Sequence, residues 1–202
     1  MAMNDSTKEK ILKTSHKLFA DKGYNGVSIR EIARECDVNL AAINYHFQNK
    51  ENLYTQTIHQ SILETDFEIK RMYDEYKDTT LEKFAVSVFE YFLENAQDLR
   101  TSFKLVISAD EYSESIGANF EKFRGPPGGE YFFEFISKEV PNASEKDIQW
   151  AVRSIFSLTI HKALIMCNGS ICKSMNDMGV TEDSLKLDLK RLIKVLMKEI
   201  TP

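Results

Sequence analysis

Three short runs of apolar residues at helical spacing, separated by two tight turns, occupy residues 7–54. Apolar side chains that recur every three or four residues form one stripe along a helix, and that stripe must be buried against a neighbour. The stripe of the first run consists of Ile11, Leu12, Ser15, Leu18 and Phe19. Ser6 or Thr7 is its candidate N-cap, and Gly23 ends it because glycine accepts the positive φ that follows a helix C-terminus. The segment is therefore expected to fold as a small bundle of short helices.

Cap residues also mark the starts of the second and third helices. Ser28 stands three residues before Glu31, which is the spacing of a capping box. After a short second helix, Asp37 begins a tight connection to Asn39, which can cap the third helix. These signals predict a helix-turn-helix arrangement.

The third helix has two chemically different faces. Ile43 and Phe47 are four residues apart, so they stack on one side and can anchor the helix. No Asp or Glu occurs from residue 38 to residue 50, although the whole chain has 31 acidic against 26 basic residues. A surface that meets phosphate must exclude carboxylates, so this pattern predicts DNA binding. The outward side combines small and polar residues that can meet base edges: Leu40, Ala41, Asn44 and Tyr45.

This segment resembles the DNA-binding domain of the TetR family of transcriptional regulators. The resemblance rests on the first-helix stripe, Gly23, the run 28–33, and Tyr45-His46-Phe47 followed by Lys50-Glu51-Asn52-Leu53. It implies phosphate or flanking-base contacts from the second helix, major-groove contacts from the third, and a phosphate clamp at the start of the fourth. The implied DNA-contacting residues are Ser28, Arg30, Asn39, Leu40, Ala41, Asn44, Tyr45, His46 and Lys50.

Two positions depart from the family pattern. Asp37 stands where the family usually has a turn glycine, and Asp is among the residues that tolerate positive φ. Asn44-Tyr45 stands where an aromatic residue more often comes first. The base-reading side chains are therefore offset from the usual set, and the operator sequence does not follow from the resemblance.

The charge distribution is weakly asymmetric. Residues 1–53 hold eight Lys or Arg and seven Asp or Glu, a net charge of +1 within a chain total of −5. The positive sign of the N-terminal net charge fits a DNA-binding domain joined to an acidic domain. The magnitude is far below the basic patch of a protein that coats DNA without specificity.

The rest of the chain is also predicted to be helical, because apolar stripes run through it and Gly and Pro seldom interrupt them. A long helix is predicted from Lys50 toward Tyr76, and further helices are expected to start at Thr80, Ser144 and Thr181. The strongest break is the Gly-Pro-Pro-Gly-Gly run at 125–129. We therefore expect an all-α protein, with a helix-turn-helix DNA-binding domain at 1–53 and a larger helical effector-binding and dimerisation domain at 54–202.

Two helices, near 144–168 and 181–200, carry more apolar surface than one packing face needs. Helix pairs from two subunits can form a four-helix bundle about a two-fold axis, so these helices are the predicted homodimer interface. Core helices of a monomer are the alternative.

Aromatic residues are frequent in the helical body, where the resemblance implies a small, largely apolar effector. Most of them are expected to be core residues. Trp150, His161 and Phe103 are the better pocket candidates, because Trp and His carry polar atoms that a dry core would have to satisfy. The apolar face around His161 nevertheless favours a hydrogen-bonded core residue over a ligand contact. The predicted effector-pocket residues are Phe103, Phe120, Trp150 and His161.

Patterns for catalysis, cofactors and metals were not found. None of the four histidines has a Glu three residues before it, and no zincin, P-loop or nucleophile-elbow pattern occurs. The three cysteines show no framework or metal-ligand spacing, and no apolar run approaches the ~20 residues of a membrane helix. We therefore expect a cytoplasmic protein that is not an enzyme and needs no cofactor or metal.

Two function classes remain open at this level. One is a regulator that binds double-stranded operator DNA and responds to a small-molecule effector. The other is a helical adaptor whose N-terminal unit packs against protein. The absence of Asp and Glu from residues 38–50 favours the regulator, because binding to a protein partner does not require one exposed helix to lack carboxylates.

Overall fold

Every regular element in the described part of the chain is a helix. The computed structural model describes residues 2–107 and 126–202, with side chains from residue 6 onward. The predicted all-α fold class is confirmed. Ten helices lie in these ranges: α1 (Ala2–Lys22), α2 (Ile29–Glu35), α3 (Leu40–Phe47), α4 (Lys50–Tyr76), α5 (Leu81–Glu94), α6 (Ala96–Ile107), α7 (Gly129–Glu139), α8 (Glu145–Met166), α9 (Gly169–Asp177) and α10 (Glu182–Glu199).

The described residues separate into two compact units. The first unit is formed by residues 2–64 and 101–107, and the second by residues 65–100 and 126–202. Helix α4 is continuous and contributes to both units. The domain boundary expected after residue 53 falls inside this helix, so the functional division at that position stays a prediction.

The core of the first unit is built from the stripes predicted for its short helices. Ile11, Ile32 and Phe47 are fully buried, as is Tyr54 of α4. Helix α1 starts at Ala2, so Ser6 and Thr7 lie inside it, and the prediction that either caps it is wrong. No Gly or Pro precedes them, so the helix extends past them toward the N-terminus. Its end is as predicted, with Gly23 at φ 71°.

The end of α6 joins the first unit through polar contacts. The Tyr54 hydroxyl donates a buried hydrogen bond of 3.0 Å to the carbonyl oxygen of Leu105. Ser102 Oγ lies 2.6 Å from Ser61 Oγ and 3.2 Å from His16 Nε2. Ser102 lies 41 positions after Ser61 in the chain, so the end of α6 is tied to α1 and α4 by non-local hydrogen bonds.

The second unit is organised around an aromatic core. The ring of Phe84 in α5 lies 4.7 Å from that of Phe132 and 4.8 Å from that of Phe135, both in α7. Phe132 is 4.9 Å from Phe156 of α8, edge to face. These four side chains are at most 3% exposed, so the expectation that most aromatics of the helical body are core is confirmed for them.

Caps place the helices of the second unit largely where the sequence predicts. The side chains of Thr80, Ser144 and Thr181 each accept a hydrogen bond from a backbone N–H of the first helical turn. The full capping box forms at Thr181 with Ser184; at Ser144 the hydroxyl instead donates to the carboxylate of Asp147. Helix α9 was not predicted, and none of its residues is buried.

Candidate nucleic-acid interface

Two polar side chains set the starts of α2 and α3. Ser28 Oγ accepts a hydrogen bond of 3.1 Å from the backbone N–H of Glu31, and Asn39 Oδ1 accepts one of 2.9 Å from that of Ala41. Each satisfies an N–H group that a helix start leaves without an intrahelical partner. Both predicted caps are confirmed. Ser28 and Asn39 are exposed, so both predicted contact residues sit at the surface where the two helices begin.

The turn between α2 and α3 is a Schellman motif closed by Asp37. The Val38 N–H donates to the Ala33 carbonyl (3.0 Å), and the Asp37 N–H donates to that of Arg34 (3.1 Å). Asp37 has φ 49°, the left-handed conformation expected at this position. The aspartate therefore makes the turn that glycine usually makes, and α3 follows α2 after a short connection.

Helix α3 has the two faces that the sequence predicts. Ile43 and Phe47 are 1% and 0% exposed, so they fix the helix to the core of the first unit. Tyr45 is 72% exposed, a large value for an aromatic side chain. Ala41 and Asn44 are exposed beside it, whereas Leu40 and His46 are half-buried.

His46 lies between two aromatic neighbours in the sequence. Its ring centroid is 5.2 Å from that of Tyr45 and 5.9 Å from that of Phe47. One neighbour is exposed and the other is fully buried. The His46 ring thus lies beside both the outward side chain and the anchoring side chain of α3.

A second turn, from α3 to α4, is closed by amide side chains that were not predicted from the sequence. Asn49 Oδ1 accepts a hydrogen bond of 2.8 Å from the backbone N–H of Asn52. The Asn52 amide donates to the Phe47 carbonyl (3.0 Å) and to Gln48 Oε1 (2.8 Å). Gln48 has φ 61°. An Asn three residues before another polar residue, just ahead of an apolar run, is the signal that would have found this cap.

Lys50 is the first residue of α4, and its ammonium lies against an aromatic ring. Its Nζ is 4.2 Å from the centroid of Tyr24, a residue of the α1–α2 turn. The side chain is half-buried, and this burial lowers the pKa of Lys50 from its usual value. The predicted phosphate clamp is therefore held at a defined place at the start of α4.

The carboxylates of α2 are compensated by neighbouring cations. Glu31 lies 2.5 Å from Lys22 Nζ, and that hydrogen bond lowers the pKa of its carboxyl group. Glu35 pairs with Arg34 at 3.1 Å. Arg30 is exposed on the same short helix. The negative charge beside Ser28 and Arg30 is thus partly neutralised, which favours the approach of a phosphate.

The predicted effector-pocket residues occupy different surroundings. Phe103 is half-buried in the part of α6 that belongs to the first unit, and Phe120 lies outside the described residues. Trp150 is 42% exposed and His161 is also exposed, both on α8 of the second unit. The interpretation of His161 as a core residue is wrong, because one side of this apolar helix faces outward.

Trp150 and His161 are also far apart along α8. They are eleven residues apart, so the helix rise puts about 16 Å between their Cα atoms. Trp150 lines an open surface cleft of about 540 Å³ near the end of the chain, together with Asp147 and Glu199. Helix α8 by itself does not bring the two predicted side chains to one small-molecule site.

The described residues contain no candidate metal site and no single membrane-spanning helix. Within residues 2–107 and 126–202, no group of three or more His, Cys, Asp or Glu side chains is placed to hold a metal ion. Over the same ranges, no single helix is both long and apolar enough to cross a membrane. The pair α8 and α9 meets the length and composition criteria only when taken together, and it bends by 105°.

These features define an all-α protein with an N-terminal helix-turn-helix: a capped α2, a tight turn, and an α3 that exposes one polar face. Residues 11–57 match the family model described as "Bacterial regulatory proteins, tetR family". The N-terminal segment that contains α2 and α3 is thus similar to the regulatory proteins of the tetR family.

Curated relatives match over 51 residues, about a quarter of this chain. The chain is 49% identical over 51 residues to "Probable HTH-type transcriptional regulator YttP" of Bacillus subtilis, covering 25% of each protein. It is 35% identical over 51 residues to the "Biofilm operon icaADBC HTH-type negative transcriptional regulator IcaR" of Staphylococcus aureus, covering 25% of this chain and 27% of IcaR. The match thus spans about a quarter of each relative.

The similarity of fold extends over nearly the whole chain. The structure of FadR from Bacillus subtilis in complex with stearoyl-CoA superimposes with a TM-score of 0.62 at 17% sequence identity. The superposition covers 94% of this chain and 97% of FadR. At this identity the similarity establishes a common architecture, including the larger helical body that follows the helix-turn-helix.

Proposed function

We propose that this protein is a transcriptional regulator that inserts α3 into the major groove of operator DNA. The observation that carries the proposal is the outward face of α3, where Tyr45 is 72% exposed between exposed or half-buried small and polar side chains. A recognition helix needs such a face, and buried Ile43 and Phe47 hold it in a fixed orientation. Ser28, Arg30, Asn39 and Lys50 flank it as backbone contacts.

Repression is the proposed direction of regulation. IcaR, which is 35% identical to this chain over 51 residues, is named as a negative regulator of an operon. A dimer that occupies an operator blocks polymerase by steric exclusion, and this requires no further activating surface on the protein.

The regulator is proposed to act as a homodimer through α8 and α10. One helix-turn-helix reads few base pairs, whereas two copies about 34–36 Å apart read a palindrome. Helix α10 is tied to α5 by ion pairs, Lys186 with Glu90 at 2.6 Å and Lys190 with Glu82 at 3.4 Å. The same helix exposes Leu187 and Val195, at 47% and 63%. Exposed apolar side chains on a helix held this way support a subunit interface.

A small, largely apolar effector is proposed to bind the helical body and release the operator. The FadR structure of the same architecture contains stearoyl-CoA, and this chain also has an apolar, aromatic-rich second unit. Effector binding weakens DNA binding only if the two ligands favour different conformations, a coupling of typically 1–3 kcal/mol in such systems.

Footprinting of the purified protein on the intergenic DNA beside its own gene tests the proposal. A protected palindrome at both of two salt concentrations is the expected result. The Tyr45→Ala protein, carried through the same titration, should lose the protected site. Salt-sensitive smearing without a protected site on any segment of that DNA, identical for both proteins, would contradict the assignment of α3 as a recognition helix.

A further inference from the structure

Tyr24 provides the ring against which the Lys50 ammonium is held. Lys50 Nζ is 4.2 Å from the ring centroid, well inside the ~6 Å range of cation–π attraction. Tyr24 belongs to the α1–α2 turn and Lys50 begins α4, so the two residues come from separate elements of the first unit.

The Tyr24 ring is itself fixed by two aromatic neighbours. Its centroid is 5.0 Å from that of Tyr54, edge to face, and 6.1 Å from that of Phe19, which it stacks upon. Both neighbours are at most 1% exposed, and the Tyr54 hydroxyl is bonded to the Leu105 carbonyl. The ring is therefore anchored to the core of the unit.

Helix stability does not explain why a lysine occupies this position. Lys50 is the first residue of α4, where the positive end of the helix dipole disfavours a cation. Glu51, next to it, is the residue type that this end favours. A residue that opposes the stability of its own helix is typical of a functional position.

The chemistry of the contact keeps the positive charge available. Lys22 and Lys70 lie against the carboxylates of Glu31 and Asp74, which offset their charge. An aromatic ring instead attracts the ammonium through its quadrupole and leaves its net charge in place. It also restricts a side chain that has four rotatable bonds and would otherwise lose that freedom on binding a phosphate.

We propose that Tyr24 is a positioning residue for DNA binding: its ring holds the Lys50 ammonium where it meets a backbone phosphate. This inference rests on the proposed function. It adds a residue that touches no DNA itself and whose effect on affinity passes through Lys50.

A double-mutant cycle on the operator duplex tests the inference. Tyr24→Leu should weaken binding about three- to tenfold, within the range of measured pair couplings. Tyr24→Phe keeps the ring and should restore affinity to within about twofold. In a Lys50→Met background, which loses the phosphate contact and about one unit of salt slope, Tyr24→Leu should have no further effect. An equal loss in both backgrounds, or no loss in the wild-type background, overturns the proposal.

One spectroscopic measurement needs no variant. The ε-methylene protons of Lys50 in the intact protein should resonate upfield of ordinary lysines, because they lie over the ring. Unshifted protons overturn the proposal even if Tyr24→Leu fails to fold. If the wild-type protein binds no duplex, the proposed function is refuted as well. If the wild-type protein binds and the effects of the two substitutions on affinity are additive, only the role of Tyr24 is refuted.

Discussion

The carboxylate of Asp66 accepts a hydrogen bond of 2.8 Å from the backbone N–H of Gly128, a residue 62 positions further along the chain. Gly128 is the N-cap of α7 and has φ 81°. The contact fastens the start of α7 to α4 within the second unit. The contact therefore positions the helix that directly follows the strongest break in the sequence.

Gly128→Ala is expected to lower the free energy of unfolding by roughly 2–5 kcal/mol. A Cβ atom at this position would lie 2.5 Å from Ile69 Cγ2, and the positive φ adds strain. Urea unfolding followed by circular dichroism measures the change. Gly179→Ala is the matched control: it has φ 79° and open space around its Cβ, so it should cost only about 1–2 kcal/mol. Equal losses would show that the close approach to Ile69 is not a constraint.

Tyr45→Ala should abolish specific operator binding and leave the thermal unfolding midpoint within a few degrees of wild type. The side chain is 72% exposed, so its removal creates no cavity. Fluorescence anisotropy with an operator duplex gives the affinity. Phe67→Ala removes another exposed aromatic, at 63%, outside the helix-turn-helix and should bind normally. Wild-type affinity for Tyr45→Ala would exclude this residue from the groove.

The Cys36 thiol should be the slowest of the three cysteines to react with a disulfide reagent. It is fully buried, and desolvation raises its pKa, so less of the reactive thiolate forms at a given pH. Cys167 and Cys172 are partly exposed. Thiol counting in buffer and then in denaturant checks this, with Cys36→Ala as the control that removes the slow phase. Three equally fast thiols would contradict the buried position.

Val195→Glu should convert the proposed dimer to a monomer. The residue is 63% exposed on α10, and a carboxylate there would be buried without a partner in a subunit interface. Light scattering after size exclusion gives the mass. Met178→Glu alters another exposed apolar residue, at 72%, outside α8 and α10, so this protein should remain dimeric. A dimer that survives Val195→Glu would place the interface elsewhere.

The parts of the structure that follow from local signals were predictable. Caps at Ser28 and Asn39, the glycine after α1 and the buried pair Ile43 and Phe47 depend on neighbours within a few residues, so the sequence contains the information. The Asp37 turn was also predictable, because few residue types accept its conformation.

Non-local contacts and the choice of the buried face were not predictable. The contact between Tyr24 and Lys50 joins residues from separate elements, and no spacing rule connects them. Helix α8 is apolar on more than one side, so periodicity alone did not show that Trp150 and His161 face outward. Helix α9 has no buried residue and therefore lacks the stripe by which a helix is recognised.

The first unit is discontinuous in sequence, and this matters for anyone who exchanges modules between regulators. A fragment that ends within α4 would leave the hydroxyls of Tyr54 and Ser61 without the partners that Leu105 and Ser102 provide. A chimera that joins this DNA-binding unit to the effector-binding domain of another regulator therefore has to include residues 101–107. Otherwise the surface that these residues cover has to be redesigned.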